Sequence, residues 1–339
     1  MTYTKFSKSS ANLITLKQDF FSSNTKLLDE IKSVNNKYIQ QPLRSRCKTC
    51  DNSLNPPDFF SFGVPYTICQ HCGHLNGCHD DTSDFAEYLY LENKGDNYKS
   101  NYLNNYDKRV TEIYLPKVTF LKETLAEVKF GSDINVLDLG CGGGHFVKAC
   151  ELLEIQATGY DPSDALISIG RETLTQNSIN TCSIQEFDKI ILNTPANVIS
   201  MIGVLEHLQH PNNALTAFNK SQAKYLYLAL PMFSFSALLE HISPNVFPRL
   251  LAAGHTHIYT LESLNYLFDK FKLKVIGEWW FGTDMVDLLR NLIVQSQPNA
   301  SENTINAINT LFGQHIDELQ SVLDRKRASS EVHIILEKV

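Results

Sequence analysis

Residues 136–146 read Val136-Leu137-Asp138-Leu139-Gly140-Cys141-Gly142-Gly143-Gly144-His145-Phe146. A short, largely apolar run enters a glycine-rich turn, and the residues after the turn favour a helix. This order predicts a buried strand, a tight turn and a helix, which together bind nucleotide-like ligands in α/β proteins. Asp161 follows Gly140 by 21 residues and ends a second apolar segment. A carboxylate there can accept hydrogen bonds from both hydroxyls of a ribose, so the pattern predicts a ligand that contains adenosine.

The residue that follows the glycine turn narrows the choice of ligand. A dinucleotide fingerprint has the form G-x-G-x-x-G/A, and its third small position is occupied here by His145. The pattern Asp138-x-Gly140-x-Gly142-x-Gly144 instead resembles motif I of class I S-adenosylmethionine-dependent methyltransferases. This cofactor carries no phosphate, and glycines let the backbone approach its amino-acid and ribose portions closely.

The resemblance implies a fold and a cofactor site. The fold is a doubly wound, Rossmann-like and mostly parallel sheet of seven strands. Asp161-Pro162-Ser163 resembles the acidic loop that binds the ribose, and Asp138 is expected to attract the ammonium group of the cofactor. The residues assigned to the cofactor are Asp138, Gly140, Gly142, Gly144, Asp161, Pro162, Glu186 and Gly203.

Composition limits the functional class. A chain of 339 residues is long for one domain and predicts two domains with a helical appendage. Its formal net charge of −7 gives no general attraction to polyanions, although residues 1–46 carry a basic excess. No apolar run reaches the roughly 18 residues that a membrane span needs, and the N-terminus lacks the apolar core of a signal peptide. We therefore expect a soluble, cytoplasmic protein.

Four of the eight cysteines form two C-x-x-C pairs, Cys47 with Cys50 and Cys69 with Cys72. The 18 residues between the pairs match the spacing of a four-cysteine zinc ribbon, and four thiolates close the coordination shell of the ion. The pattern therefore predicts a structural zinc ion. Two alternatives remain open at this point: a redox pair, or replacement of one cysteine ligand by a neighbouring residue, namely His71, His74, Cys78 or His79.

The predicted organisation has four parts. They are a helical extension (1–46), a four-cysteine module (47–80), a tyrosine-rich helical linker that roofs the cofactor (81–128) and the methyltransferase domain (129–339). Strands are predicted at 134–139, 156–161, 180–184, 196–202, 224–230, 272–280 and 332–336, and helices at 145–154, 163–177, 211–220 and 261–270. A helical insertion at about 281–330 is expected to cover the substrate pocket or to form a homodimer contact.

Two segments are expected to face the transferred methyl group, because ligands lie beyond the carboxyl ends of parallel strands. The first resembles the E-H-x-x-x-P motif of small-molecule methyltransferases, with Glu206, His207 and Pro211 matching. The second, just before a predicted helix, contains His255 and His257. A histidine near neutral pH is a natural base for the proton of the acceptor, so His207, His255 and His257 are the candidate catalytic residues. The alternative for His255 and His257 is a structural role at the start of the helix.

Together, most of residues 47–280 resemble the sugar C-methyltransferases of deoxysugar pathways and their relatives in surface-polysaccharide clusters. In that family a Glu-His pair precedes an aromatic stretch, and the histidine is proposed as base beside a keto-sugar carbon. His255 matches this histidine, whereas Gly254 stands at the position of the glutamate. The departure favours methylation of a hydroxyl oxygen, which needs less help from a base.

The resemblance therefore predicts a small polar acceptor, a nucleotide-linked or glycan sugar. An RNA methyltransferase that grips RNA through its zinc ribbon is the main alternative, and a binding module without activity is another. RNA binding predicts a basic, aromatic surface. Between Cys47 and Cys72 only Lys48 is basic, and acidic residues oppose it, so nucleic acid is disfavoured as a partner.

Overall fold

The computed structural model describes residues 2–11, 23–89, 105–131, 133–252 and 254–339. Part of the tyrosine-rich linker, with Tyr90, Tyr98 and Tyr102, lies outside the described residues. The strands of the described part are β1 (Tyr3–Phe6), β2 (Phe59–Ser61), β3 (Val64–Ile68), β4 (Leu75–Gly77), β5 (Asn135–Leu139), β6 (Gln156–Asp161), β7 (Ile179–Thr181), β8 (Val198–Ile202), β9 (Tyr225–Pro231), β10 (His257–Ile258), β11 (Leu273–Phe281) and β12 (Glu331–Lys338).

The helices of the described part surround these strands. They are α1 (Asn24–Tyr38), α2 (Ser83–Glu87), α3 (Tyr106–Arg109), α4 (Leu115–Glu127), α5 (His145–Leu152), α6 (Asp164–Thr173), α7 (Phe187–Asn193), α8 (Pro211–Lys220), α9 (Phe235–Ile242), α10 (Leu261–Phe271), α11 (Asp284–Ser296), α12 (Glu302–Leu311) and α13 (Ile316–Arg325). A π-helical turn, Val110–Tyr114, joins α3 to α4. None of these helices is long and apolar enough to cross a membrane.

The main sheet has the order β1-β11-β12-β9-β8-β5-β6-β7. All neighbouring strands in it are parallel except β12, which is antiparallel to both β11 and β9. The predicted Rossmann-like fold is confirmed, but the prediction of seven strands was wrong by one. The added strand is β1, which pairs with β11 from Tyr3 opposite Gly277 to Phe6 opposite Trp280. Four residues carry too little periodicity to predict a strand, and β1 exists because the edge of β11 offers a partner.

The sheet is buried on both faces, as the alternation along its strands requires. In β9, Leu226 and Leu228 pack into one apolar cluster, while Tyr225 and Tyr227 pack into another. Helices cover each face, which is why the central strands read as continuous apolar runs in the sequence. The layers bring the carboxyl ends of β5, β6, β8 and β9 to one edge of the sheet.

A second, antiparallel sheet has the order β10-β4-β3-β2. Three of its strands belong to the four-cysteine module, but β10 comes from the segment before α10. His257 pairs with Asn76, and Ile258 pairs with Leu75. His257, one of the predicted catalytic histidines, therefore lies on an edge strand of the cysteine module, and His255 precedes this strand.

The region between β11 and β12 is helical, with α11, α12 and α13 at its centre. One apolar cluster, formed by Val286, Leu289, Ile293 and Ile316, joins α11 to α13. Asp284, at the start of α11, accepts hydrogen bonds from Ser234 Oγ at 2.7 Å and from the Ser330 backbone at 2.9 Å. The insertion is thus bound to the carboxyl edge of the sheet through a buried carboxylate.

We predict that Gly170→Ala destabilises the fold. A Cβ atom at Gly170, in α6, would lie 2.7 Å from the carbonyl oxygen of Gly143 in the glycine turn and would also overlap Ile179. Overpacking of this kind costs about 1–3 kcal/mol, which exceeds the gain of about 1 kcal/mol from alanine in a helix. Denaturant titration should show a lower free energy of unfolding. The control is Gly131→Ala, whose added Cβ meets no atom within 4 Å, and equal stabilities for both variants would contradict the packing argument.

Candidate cofactor and acceptor site

The glycine turn after β5 uses backbone conformations that side chains resist. Gly140, Gly142 and Gly144 have φ values of 67°, 53° and 73°. A Cβ at Gly140 would lie 2.5 Å from Cγ2 of Val204, so a larger residue is excluded there by packing as well. The turn is therefore closed and narrow, as a close approach of backbone to a ligand requires.

Asp161, at the end of β6, holds this turn. Its Oδ2 accepts a hydrogen bond from the Gly142 backbone N–H at 2.8 Å, and its Oδ1 accepts one from Ser163 N–H at 2.8 Å. Burial raises the pKa of Asp161, and these two hydrogen bonds oppose the rise. Asp161, the residue predicted to bind the ribose, thus lies directly beside the glycines. Pro162 follows it in the same loop.

Asp138 is buried in the sheet below the turn. Its Oδ1 accepts a hydrogen bond from Ser200 Oγ of the neighbouring β8 at 2.7 Å. Burial raises the pKa of Asp138 to about 7. A nearby positive charge stabilises the ionised form of such a buried carboxylate. The ammonium group of the predicted cofactor carries a charge of this sign.

Gly203 and Glu186, which were also assigned to the cofactor, lie in different surroundings. Gly203 follows β8 with a φ of 68° and lines a cavity at the strand ends. Glu186 is exposed, and it accepts hydrogen bonds from the backbone N–H of Ser183 at 2.8 Å and from its hydroxyl at 3.0 Å. These bonds form a capping box for the short helical turn at Ile184–Glu186. The cofactor role of Glu186 stays a prediction.

His145 has a role that the sequence did not reveal. Its ring is stacked on those of Tyr106 and Tyr114, with centroid distances of 4.1 and 5.3 Å. The Tyr106 hydroxyl also donates to the carbonyl oxygen of Gly143 at 2.9 Å. Burial lowers the pKa of His145 to about 3, so the ring is neutral at physiological pH. His145 therefore packs the helical roof against the glycine turn. It stands at the position where a dinucleotide fingerprint has a small residue.

A cavity of about 240 Å³ lies at the carboxyl ends of β8 and β9. Its walls come from six segments of the chain, including the roof and both ends of the helical insertion. The lining residues are Tyr114, Lys117, Ile202, Gly203, Glu206, Ala229, Leu230, Pro231, Arg249, Leu250, His255, Thr283, Ser330 and Glu331. Because both charge signs and a histidine line this space, it suits a polar ligand.

The three candidate histidines have different surroundings. His255 is half-buried and lines the cavity, and its Nδ1 lies 3.2 Å from the carbonyl oxygen of Leu250. His207 is partly exposed, and its ring is stacked on that of His255 at 5.1 Å. His257 is fully buried, and its Nδ1 lies 2.8 Å from His74 Nε2. The structure therefore brings His207 and His255 together and places His257 inside the cysteine module.

The cavity contains charged residues to which the sequence reasoning gave no role, although Glu206 was noted there as part of a motif. Lys117 is 8% exposed, and burial lowers its pKa to about 8. Glu206 is 2% exposed, and burial raises its pKa to about 8. Arg249 forms an ion pair with Asp287 at 3.0 Å. The available signal for Lys117 was its place on the buried face of α4, four residues before Leu121, where a lysine is unusual.

Comparison with known families decides the class of protein. The family model described as "Methyltransferase domain" matches residues 106–278, which is more than half of the chain. The chain belongs to the class I S-adenosylmethionine-dependent methyltransferases. The matched residues include the glycine turn, Asp161 and both acceptor-side segments, and the cofactor of this methyltransferase is S-adenosylmethionine.

Three solved methyltransferase structures are similar to this chain. A methyltransferase of Archaeoglobus fulgidus has 17% identity and a TM-score of 0.39, covering 66% of this chain and 94% of its own. The plantazolicin methyltransferase BamL has 17% identity and a TM-score of 0.47, with coverages of 75% and 94%. The magnesium protoporphyrin IX methyltransferase of Synechocystis PCC 6803 has 10% identity and a TM-score of 0.46, with coverages of 76% and 99%. No curated protein sequence matches this one.

The four cysteines of the methyltransferase form one buried cluster. The Sγ atoms of Cys47 and Cys72 are 3.7 Å apart, and those of Cys50 and Cys69 are 3.5 Å apart. All four sulfur atoms lie within 4.8 Å of one another, and none of the cysteines is in a disulfide. A tetrahedral zinc ion with Zn–S bonds of about 2.3 Å has S···S edges of about 3.8 Å. The sulfur positions thus have the dimensions of such a site.

Buried hydrogen bonds join the cysteine module to both acceptor-side segments. The Lys48 ammonium is paired with Asp81 and donates to the carbonyl oxygen of Leu208 at 2.8 Å. Asp81 also accepts a hydrogen bond from the Thr256 hydroxyl at 3.1 Å. Leu208 follows His207, and Thr256 follows His255. These bonds therefore hold the residue that follows each of the two stacked histidines.

We predict that Asp161→Ala weakens cofactor binding. A hydrogen bond to a charged group contributes about 1.5–3 kcal/mol, so calorimetry should show affinity for S-adenosylhomocysteine reduced about 10-fold or more. Thermal unfolding without ligand should be measured as well, because Asp161 also holds Gly142. The control is Asp164→Ala, since Asp164 is bonded to the Thr181 hydroxyl at 2.6 Å in the same region. Unchanged affinity of Asp161→Ala would refute its role at the ribose.

Proposed function

We propose that this methyltransferase acts on a small polar acceptor, a nucleotide-linked or glycan sugar, in the cavity at the ends of β8 and β9. The observation that carries the proposal is the lining of this cavity, which places Lys117, Arg249, Glu331 and His255 around about 240 Å³. Sites for drug-sized ligands usually enclose about 300–1,000 Å³ and are mostly apolar. A smaller, charged cavity suits a compact ligand with many oxygens.

S-adenosylmethionine supplies an activated methyl group, so the protein has to position the acceptor and help its proton to leave. Of the three histidines predicted as bases, His255 is the one that lines the cavity. Its contact with the Leu250 carbonyl oxygen places a proton on Nδ1 and leaves a lone pair on Nε2. We therefore assign His255, and not His257, as the base.

Methylation of oxygen is favoured over methylation of carbon. Formation of a carbanion beside a keto group needs support for the base and for the enolate, and Gly254 provides no carboxylate for either purpose. A sugar hydroxyl needs only a modest base. In the proposed step, the acceptor oxygen forms a bond to the methyl carbon while the bond from that carbon to sulfur breaks, and the hydroxyl proton passes to His255.

The charges around the cysteine module give little support to the alternative of an RNA methyltransferase. Arg44 is paired with Asp80 at 3.5 Å and with Asp81 at 2.9 Å, and Arg46 is paired with Asp51 at 3.4 Å. Lys48 is buried in its pair with Asp81. RNA binding requires cations that are available to phosphates.

We also propose that Cys47, Cys50, Cys69 and Cys72 bind a structural zinc ion. The sulfur separations support this assignment, and so does the closed set of four thiolates, which leaves no position for an activated water. Because β10 pairs with β4 of this module, the ion would also stabilise the segment that carries His255.

The zinc proposal predicts a metal content that depends on the cluster. The wild-type chain should contain about one zinc ion, and Cys50→Ser should contain much less and unfold at a lower temperature, because three thiolates bind zinc more weakly. The control is Cys78→Ser, which removes a buried cysteine outside the cluster. Elemental analysis of the purified proteins measures the difference. Equal zinc in both variants, or a folded wild type without zinc, would overturn the proposal.

The base proposal predicts a loss of turnover without a loss of cofactor affinity. With a panel of sugar nucleotides as acceptors, His255→Gln should lower kcat about 100-fold or more, in the range of general-base contributions. Its affinity for S-adenosylhomocysteine should match that of the wild type. The control is His210→Gln at an exposed position. An unchanged kcat would remove His255 as base, and lack of transfer to every sugar nucleotide would contradict the acceptor class.

A further inference from the structure

Glu206, His207 and His255 form a second cluster of metal-ligating groups, separate from the four cysteines. One ligand atom from each lies within 4.8 Å of the others. We propose that these three residues bind a divalent cation, which in turn holds two neighbouring oxygens of the acceptor. The proposal rests on the proposed function and deepens it, because it defines the acceptor as a vicinal diol or a hydroxy-carbonyl compound.

The residue types and their spacing fit such an ion. Two histidines and one carboxylate form a ligand set for divalent transition metals that leaves other positions open. The distance from Glu206 Oε1 to His207 Nε2 is 3.8 Å, and the two imidazole rings are inclined by 19°. Ligands on an ion at about 2.1 Å are separated by about 3.0–3.4 Å, so the three groups have to move inward by about 1 Å. Both histidines are only partly buried, which leaves room for this movement.

Glu206 provides an independent observation that points to a ligand. Its side chain is nearly fully buried and lines the cavity, and its Oε2 has no hydrogen-bond partner among the residues that the structure describes. A buried carboxylate oxygen without a partner costs about 1–3 kcal/mol or more, because it loses its hydration without compensation. A cation beside it removes this cost.

The residues around the cluster position the two histidines in the way that is usual for metal-binding histidines. Metal-binding histidines usually donate their second ring N–H to a carbonyl or carboxylate. His255 Nδ1 has this contact with Leu250 O at 3.2 Å. Lys48 holds the backbone after His207, and Asp81 holds the side chain of Thr256, which follows His255. Lys117 and Glu331, of opposite charge, both face the same cavity, so they largely offset each other near the ion.

The cation changes how the acceptor loses its proton. Coordination of a hydroxyl oxygen to a divalent cation lowers the pKa of that hydroxyl. The oxygen then forms its bond to the methyl carbon as the carbon–sulfur bond breaks, and the proton leaves to water without any change of oxidation state. His255 accepts the proton itself only when no ion is bound, because the ion and the proton use the same lone pair.

The experiment is a titration of the zinc-containing chain with Mn²⁺, followed by the electron paramagnetic resonance signal of the free ion. Mn²⁺ prefers oxygen and nitrogen ligands, so it does not compete for four thiolates. We expect about one Mn²⁺ per chain, with affinity about 10-fold or more lower in Glu206→Gln and in His207→Gln. His210→Gln is the control and should bind as the wild type does. His207→Gln alters a partly exposed side chain and keeps the test valid if Glu206→Gln does not fold.

Parallel turnover measurements separate this inference from the proposed function. Removal of Mn²⁺ by a chelator that leaves the zinc in place should lower kcat about 10-fold or more, and added Mn²⁺ should restore it. Absence of Mn²⁺ binding, or binding that none of the ligand variants changes, would overturn the cation site. If transfer to sugar nucleotides then still depends on His255, the base proposal stands alone. Binding that depends on Glu206 without transfer to any sugar nucleotide would refute the acceptor class and keep the cation site.

Discussion

The proposed acceptor side of this methyltransferase depends on one buried ion pair, between Lys48 and Asp81. Both side chains are more than nine-tenths buried. Lys48 lies inside the first C-x-x-C pair, and together the two charges bond to the backbone after His207 and to the side chain of Thr256. Loss of one partner of a buried pair typically costs about 3–5 kcal/mol, since the other charge is left without compensation. The cysteine module is therefore bonded to the segments that carry His207 and His255 and is not a separate attachment.

The molecule therefore has two sites, and they are built from different segments of the chain. The cofactor side is built from β5, the glycine turn and the end of β6, where Asp161 bonds directly to Gly142. The proposed acceptor side combines the turn after β8, the end of β9, the segment from Arg249 to His255, the roof and the two ends of the helical insertion. Because these parts share few residues, the acceptor cavity can differ between relatives while the cofactor site stays the same. Fold similarity alone accordingly says little about the acceptor.

The proposed zinc ion and the proposed divalent cation have different functions. Four thiolates would close the first shell and stabilise the second sheet, which contains β10. The Glu206, His207 and His255 cluster would leave coordination positions open beside the cavity. Since β10 and the Lys48–Asp81 pair join the two, loss of the first ion would disturb the ligands of the second. The two sites are then linked through backbone position and not through direct contact.

The sequence by itself determined the parts of the protein that are local. The strand, glycine turn and helix are consecutive residues, each C-x-x-C pair spans four residues, and the repeated strand and helix pattern predicts the parallel sheet. Only the tertiary structure decided which histidine faces the cavity. His257 pairs with His74 across 183 residues of sequence, and β1 pairs with β11 across 274 residues. The stacking of His145 on the roof and the position of Lys117 in the cavity were likewise decided by the tertiary structure. Such contacts depend on how distant segments pack, which the pattern of neighbouring residues does not encode.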